Sequence, residues 1–461
     1  MGRSIPPPTV SPQFDSARPE GPEARRPTNA SSWIEHAFVE EETPHGVIYC
    51  CRKPTPLGHR VGSIGIATSL AADPSVLAML ALDPSLAGCD LRRALYLDTE
   101  TTGLAGGTGT VPFLLGLGYY DAADERFVVE QVLLRTFAEE AAMVEHLRRR
   151  AAEASMLVTF NGKAFDWSLL KTRSTMNRAD RLPVLPHLDL LHVVRRLHKH
   201  RLRSCALQRI EEDILGQRRV DDVCGADIAA IYHHYVRTRD VAALEPVIIH
   251  NSLDVVSMFA LVGLYGEQLT ADTNGDAWAS TLAPSDLAAA AVVARRAKDL
   301  DRALHFAEAS VERGAGAFGH RARAEIAKAR GDKAAALADF ERALAQLDGS
   351  GAAADPSTLY LRLELAKLYE HHARAFDKAK STLVGGTTES ADRHGLRLRR
   401  LQAKIEASAK RAAAGEIVRN KPKKRRLPVS GKSTTTAACG EDVSNRSAPR
   451  RSNQGKSKQA G

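Results

Sequence analysis

Three short segments carry acids in a pattern that can do chemistry. They are Leu97-Asp98-Thr99-Glu100-Thr101-Thr102-Gly103, Phe160-Asn161-Gly162-Lys163-Ala164-Phe165-Asp166 and His250-Asn251-Ser252-Leu253-Asp254. Asp98 and Glu100 stand two apart at the end of an apolar run, so on a strand both side chains leave the same face. Two acids so placed repel unless a cation lies between them. Hard oxygen ligands from separate elements suit Mg2+ or Mn2+. Two such ions ~3.5–4 Å apart can activate a water and stabilise the leaving oxygen of a phosphodiester. His250, one helical turn before Asp254, is the candidate general base as a neutral imidazole. Each segment alone is weak, since Asp-x-Glu is common and a His four before an Asp on a helix is usually a surface pair. All three in order, each in its expected context, carry the argument.

The elements that must position these residues lie in 94–270. A short strand runs from 94 to Asp98, and further strands are expected at 113–120, 127–134 and 156–160. Helical spacing covers 139–153, 166–176, 189–197 and 244–264, the last carrying Asp254. Three early strands joined by short turns, then strands alternating with helices, argue for an α/β fold with a mixed sheet covered by helices.

Around this domain the chain changes character. Residues 1–31, rich in Pro, Ser, Arg and Glu, are expected to be disordered. Residues 32–93 form a lead-in with a strand at 47–51 and a short helix at 74–86. From 284 to 412 strand signals vanish and three helical pairs follow, at 288–313, 318–347 and 358–383. Their second helices open alike, on Asp301-Arg302-Ala303, Asp332-Lys333-Ala334 and Asp377-Lys378-Ala379. Tetratricopeptide units repeat every ~34 residues, so this module is either tetratricopeptide-like or an unrelated helical bundle; its expected role is docking a protein partner. Residues 413–461 read as a basic disordered tail.

The 461 residues suffice for two or three domains of ~150 residues. The formal charge of +9 belongs to the tail: from Glu416 onward there are 12 Lys or Arg against 3 Asp or Glu, leaving the remainder neutral. The tail could hold polyanions weakly; the body cannot be read as basic. Six cysteines include no Cys-x-x-Cys pair, so a zinc ribbon is not expected, and a reducing cytoplasm fits. No uninterrupted apolar run reaches 18 residues, so no membrane span is expected.

The three segments resemble the Exo I, Exo II and Exo III motifs of the DEDD 3′→5′ exonucleases, a branch of the ribonuclease-H-like fold. Leu188-Asp189-Leu190-Leu191-His192, Leu202 to Leu207 and Leu244 to Met258 resemble the YprB-type subfamily in particular. The resemblance covers about 94–265. It implies a mixed five-stranded sheet, two divalent cations held by Asp98, Glu100, Asp166 and Asp254, and a single-stranded DNA or RNA substrate. Thr102, Gly103 and Leu104 would lie near the terminal nucleotide, with Asn161 and Phe165 lining the cleft. One departure stands out: three residues separate His250 from Asp254, the register of the tyrosine class. If His250 faces the cleft, Asn251 is expected to point away.

Other residues carry less. Asp189 reads as the cap of the next helix rather than a metal partner. His187, His192, His198 and His200 fall on different helical faces and are expected at the surface. Gly431-Lys432-Ser433-Thr434 lacks the upstream glycine and strand of a phosphate loop. The leading reading is a metal-dependent 3′→5′ exonuclease; the alternatives are a catalytically weak nucleic-acid-binding protein or a helical-repeat interaction scaffold on the same fold.

Overall fold

The computed structural model describes residues 34, 37–103, 109–266, 282–348 and 355–419. The expected disordered N-terminus, 1–31, and residues 420–461 of the expected tail lie outside this set, while 413–419 of that tail continue a helix. Strands β1 (Val39–Thr43) and β2 (Gly46–Thr55) come first, then a small hairpin of β3 (Arg60–Val61) and β4 (Ile64–Gly65). Helix α1 (Pro74–Ala81) starts on Asp73, whose carboxylate accepts the Ser75 N–H. Strands β5 (Ala94–Thr101), β6 (Pro112–Asp121) and β7 (Arg126–Leu133) lead to α2 (Glu140–Glu153), β8 (Met156–Thr159), α3 (Asp166–Met176), β9 (His187–Asp189) and α4 (Leu190–His198). Next come α5 (Leu207–Ile210), α6 (Ile228–Thr238) and α7 (Glu245–Tyr265).

The sheet order is β1-β2-β7-β6-β5-β8-β9. Strand β5 pairs antiparallel with β6 and parallel with β8, and β8 pairs parallel with β9, so the sheet is mixed. Seven strands form it rather than five, because β1 and β2 from the lead-in extend it beyond β7 through pairs such as Cys50 with Val132. Period-two alternation along β5 divides the core: Ala94 and Tyr96 face one hydrophobic cluster, Leu95 and Leu97 the other. Asp98 and Glu100 continue the Tyr96 side.

Helix α7 crosses that side. Gly116 and Gly118 on β6 make the close approach possible: a Cβ on Gly116 would sit 2.3 Å from Asn251 Oδ1, and one on Gly118 2.5 Å from a Val255 methyl. Pro246 falls in the first turn of α7, where its missing N–H costs no helical bond. The stretch Val241–Tyr265 is long and apolar enough to cross a membrane, an 18-residue window of it having mean hydropathy 1.8, but 78% of that window is buried inside the protein. Interruption by His250, Asn251 and Asp254 hides this from a search for unbroken apolar runs.

An all-helical region follows: α8 (Pro284–Arg296), α9 (Leu300–Glu312), α10 (Gly316–Ala329), α11 (Lys333–Asp348), α12 (Pro356–Leu368), α13 (Phe376–Leu383) and α14 (Ala391–Arg419). Its first helices share the core cluster of the Tyr96 face, where Leu287, Val293 and Ile326 join Val76, Val193 and Leu197. A separate cluster centred on Phe340, Leu361 and Leu401 holds the later helices.

Candidate active site

Strand β5 delivers Asp98 and Glu100 to the α7 side as alternation requires, and the register shifts between Glu100 and Thr101. The strand runs through the acids to Thr101 rather than ending at Asp98. Asp98 stands opposite Gly116, whose bare backbone admits Asn251. Asn251 Nδ2 donates to Asp98 Oδ2 at 2.8 Å, and Gln131 Nε2 donates to Asn251 Oδ1 at 2.9 Å. The expectation that Asn251 points away is therefore wrong. Residues three and four before Asp254 share its helical face, so Asn251 and His250 both turn to the carboxylates; that spacing was the available signal.

Asp166 opens α3 and is 6% exposed. Thr99, on the opposite face of β5 from Asp98, donates its hydroxyl to Asp166 Oδ1. The turn before α3 holds Asn161 at φ +71°, a left-handed conformation that asparagine tolerates well. Asp189 fixes this turn: its carboxylate accepts the N–H groups of Asn161 at 2.9 Å and Lys163 at 3.1 Å, besides capping α4 through Leu191 N–H at 3.1 Å. The cap reading of Asp189 holds, and the bracing of the turn comes in addition. Asn161 is exposed and Phe165 half-buried.

The electrostatics show how these acids are grouped. Removal from water, then the charges of Asp254, Glu100 and Asp166, push the Asp98 carboxyl well above its ordinary range. Burial raises Glu100 to about 7, with Asp254 and Asp166 adding to it while His250 opposes. Burial likewise raises Asp166 to about 6 despite the Thr99 hydrogen bond. Asp98, Glu100 and Asp166 are thus each raised in part by neighbouring carboxylates, Asp254 among them. Among the described residues, no group of three or more His, Cys, Asp or Glu side chains is disposed to hold a metal ion. The donor chemistry nevertheless fits a hard divalent cation: buried or half-buried carboxylate oxygens on separate elements.

One guanidinium intrudes. Arg219, with a side chain 6% exposed, pairs with Glu211, Asp254 and Asp222, the last at 3.0 Å. His250 Nδ1 meets Asp222 Oδ1 at 2.8 Å, and its Nε2 lies 3.8 Å from Asp254 Oδ2. Burial favours the neutral ring, but Asp254, the Asp222 hydrogen bond and Glu100 outweigh it and raise the His250 pKa. Arg219, Glu211 and Asp222 carried no motif and no periodicity that would have marked them.

The remaining expected residues divide. Thr102 is committed to the fold: its Oγ1 accepts the Val111 N–H at 3.0 Å and its own N–H donates to the Val111 carbonyl. At Gly103 an added Cβ would meet Thr110 Oγ1 at 3.8 Å, an ordinary van der Waals contact. Leu104 lies outside the described residues. Two of the histidines expected at the surface are buried instead. His187 pairs with Thr159 Oγ1 at 2.8 Å and burial lowers its pKa to about 3. His198 is fully enclosed between Tyr265 and Asp286.

Comparison with known proteins agrees with this geometry. Residues 95–265 match the RNase_H_2 family model of the RNase_H superfamily. The chain is 40% identical over 180 residues to the uncharacterized protein YprB of Bacillus subtilis (strain 168), covering 38% of this chain and 43% of that protein. The chain thus matches less than half the length of this relative. The segment from β5 through α7 has the ribonuclease-H-like fold, and the chain is homologous to YprB over part of its length.

Proposed function

We propose that this protein is a metal-dependent nuclease, a 3′→5′ exonuclease that hydrolyses phosphodiesters of single-stranded DNA or RNA. The observation that carries the reading is the joining of the acid-bearing elements: Asn251, on the helix that carries Asp254, binds Asp98, and Thr99, between Asp98 and Glu100, binds Asp166. These four would hold two Mg2+ or Mn2+ ions, which supply an activated water and charge stabilisation at the phosphate. The chain's own residues do the rest. Asn251 and Thr99 orient Asp98 and Asp166. Asp222 holds the Nδ1 side of His250, leaving Nε2 toward Asp254 as the proton acceptor. Asn161, Phe165 and Gly103 border the place where the terminal nucleotide would sit. The helical region, read as tetratricopeptide-like, would engage a protein partner, and a cytoplasmic setting suits the free cysteines among the described residues.

A second reading, a catalytically weak nucleic-acid binder, draws on one observation: Arg219 already compensates Asp254. Mn2+-dependent release of mononucleotides from end-labelled oligonucleotides separates the two. Release that falls ~10²–10³-fold in Asp98→Ala supports the enzyme. No release from DNA or RNA with either metal leaves the second reading standing.

A further inference from the structure

Beside the Asn161 turn a crevice of about 900 Å3 opens, lined by Phe160, Asn161, Arg195, Lys199 and Arg203. A second crevice of about 520 Å3 lies between α4 and the first helices of the helical region, lined by Arg195, Lys199, Arg296 and Phe318 among others. Arg195 and Lys199 line both. They stand one helical turn apart and form a wall common to the two chambers.

The charge of this tract is unusual for the molecule. Glu325 is the one acid lining either chamber, and it is taken by Arg295 at 2.7 Å and Arg321 at 3.1 Å. Arg195, Lys199, Arg203 and Arg296 are exposed and, among the described residues, have no carboxylate partner. Arg196 is held below its ordinary pKa by burial and then by the charge of Arg296, so cations here crowd one another. Rings are interleaved: Phe318 lies 5.4 Å from His200 in the second chamber, and Phe160 borders the first. The two walls are fixed to each other. Fully buried Asp286 on α8 binds Arg201 at 2.6 Å, His198 at 3.1 Å and His200 at 3.4 Å. Unpaired cations with aromatic faces are the surface that a single strand's phosphates and bases recognise.

We propose that this two-chambered crevice is the track of a single-stranded nucleic acid leading to the Asn161 turn, with α8 and α10 forming its far wall. The direction of the strand rests on the nuclease reading; the binding does not. The test is fluorescence anisotropy of the full chain in EDTA, with fluorescein-labelled oligo(dT) of 4 and 20 nucleotides at several salt concentrations. The 20-mer should bind at least ~10-fold tighter than the 4-mer. An Arg195→Glu/Arg296→Glu protein should lose that advantage, and its log Kd against log salt should flatten by about 1.4 for two phosphates. Arg399→Glu, an exposed charge outside the crevice, should leave both unchanged. Thermal melts by circular dichroism establish that each variant is folded.

A folded double variant that binds the 20-mer as the parent does overturns the proposal. So does a 20-residue poly-glutamate peptide that displaces the 20-mer at equal concentration, which would assign the crevice to an acidic protein partner. Binding that follows the expected pattern without nucleotide release in Mn2+ removes the nuclease reading and leaves the track. Release without the length dependence does the opposite.

Discussion

Two buried acidic groups on the same sheet meet opposite fates. Glu130 on β7 is fully enclosed, yet Arg52, Arg150 and His146 bind it and Tyr119 donates to it. Burial alone would raise its pKa; His146 and Arg150 outweigh that and hold it far below the usual range. Two strands away, Asp98 and Glu100 receive one amide and one histidine charge between them, and both are pushed up. Several other buried acids are compensated in the Glu130 manner: Asp286 by Arg201 and His198, Glu370 by Arg397 and Arg400, Asp339 by Arg323 and His320. The deficit at β5 is therefore local, and it is what a cation would relieve. The contrast separates a carboxylate that holds the fold from one that strains it.

The comparison can be broken by removing charge at each end. Glu130→Gln should lose ~3 kcal/mol of stability, because the Arg52 and Arg150 guanidiniums are left around a neutral amide; urea titration measures it. Glu100→Gln should do the reverse, gaining ~2 kcal/mol at pH 8 in metal-free buffer. A Glu100→Gln protein less stable than the parent at pH 8 would show that the acid is compensated after all.

pH sharpens the same point. The folded pKa of Glu100, about 7 against an ordinary 4.5, and of Asp166, about 6 against 3.8, mean that the native state holds protons the unfolded chain releases. Their contribution is most favourable below pH 4 and is lost as pH rises through 6 to 7. The stability difference between Glu100→Gln and the parent should thus vanish near pH 4 and grow toward pH 8. The smallest effect concerns geometry. Gly116→Ala should cost ~1–3 kcal/mol by overpacking against Asn251 and should reduce nucleotide release through the displaced Asp98 contact. Full activity in that variant would make the Asn251 contact dispensable.

Much of the frame was legible in the chain. Alternation placed Asp98 and Glu100 on one face, and the α3 helix begins on Asp166 as the Asn-x-x-x-Phe-Asp turn suggested. The last segment is less legible, because the His250–Asp254 pairing masks the equivalent position of Asn251, three residues before Asp254 on the same helical face. Arg219 was out of reach: it comes to Asp254 from 35 residues away, off a segment with no periodicity. The lead-in's share of the sheet was hidden for a related reason. Strand β1, Val39-Glu40-Glu41-Glu42-Thr43, is mostly acidic, and its pairing with β2 rests on backbone hydrogen bonds rather than apolar pattern. Burial of His187 and His198 likewise depends on partners distant in sequence, Thr159 and Tyr265.

The hydrophobic cluster that runs from Tyr96 through α4 into α8 and α10 has a consequence for how the molecule comes apart. Side chains on α1 and α4 share this one cluster with those of α8 and α10, so these parts should melt together rather than in turn. A chain cut near residue 270 would expose Val193, Leu197 and Val76 to water and associate through them. The helical region is in this sense the other half of a single cooperative body, and protection of α4 amides from hydrogen exchange should report on the integrity of α8.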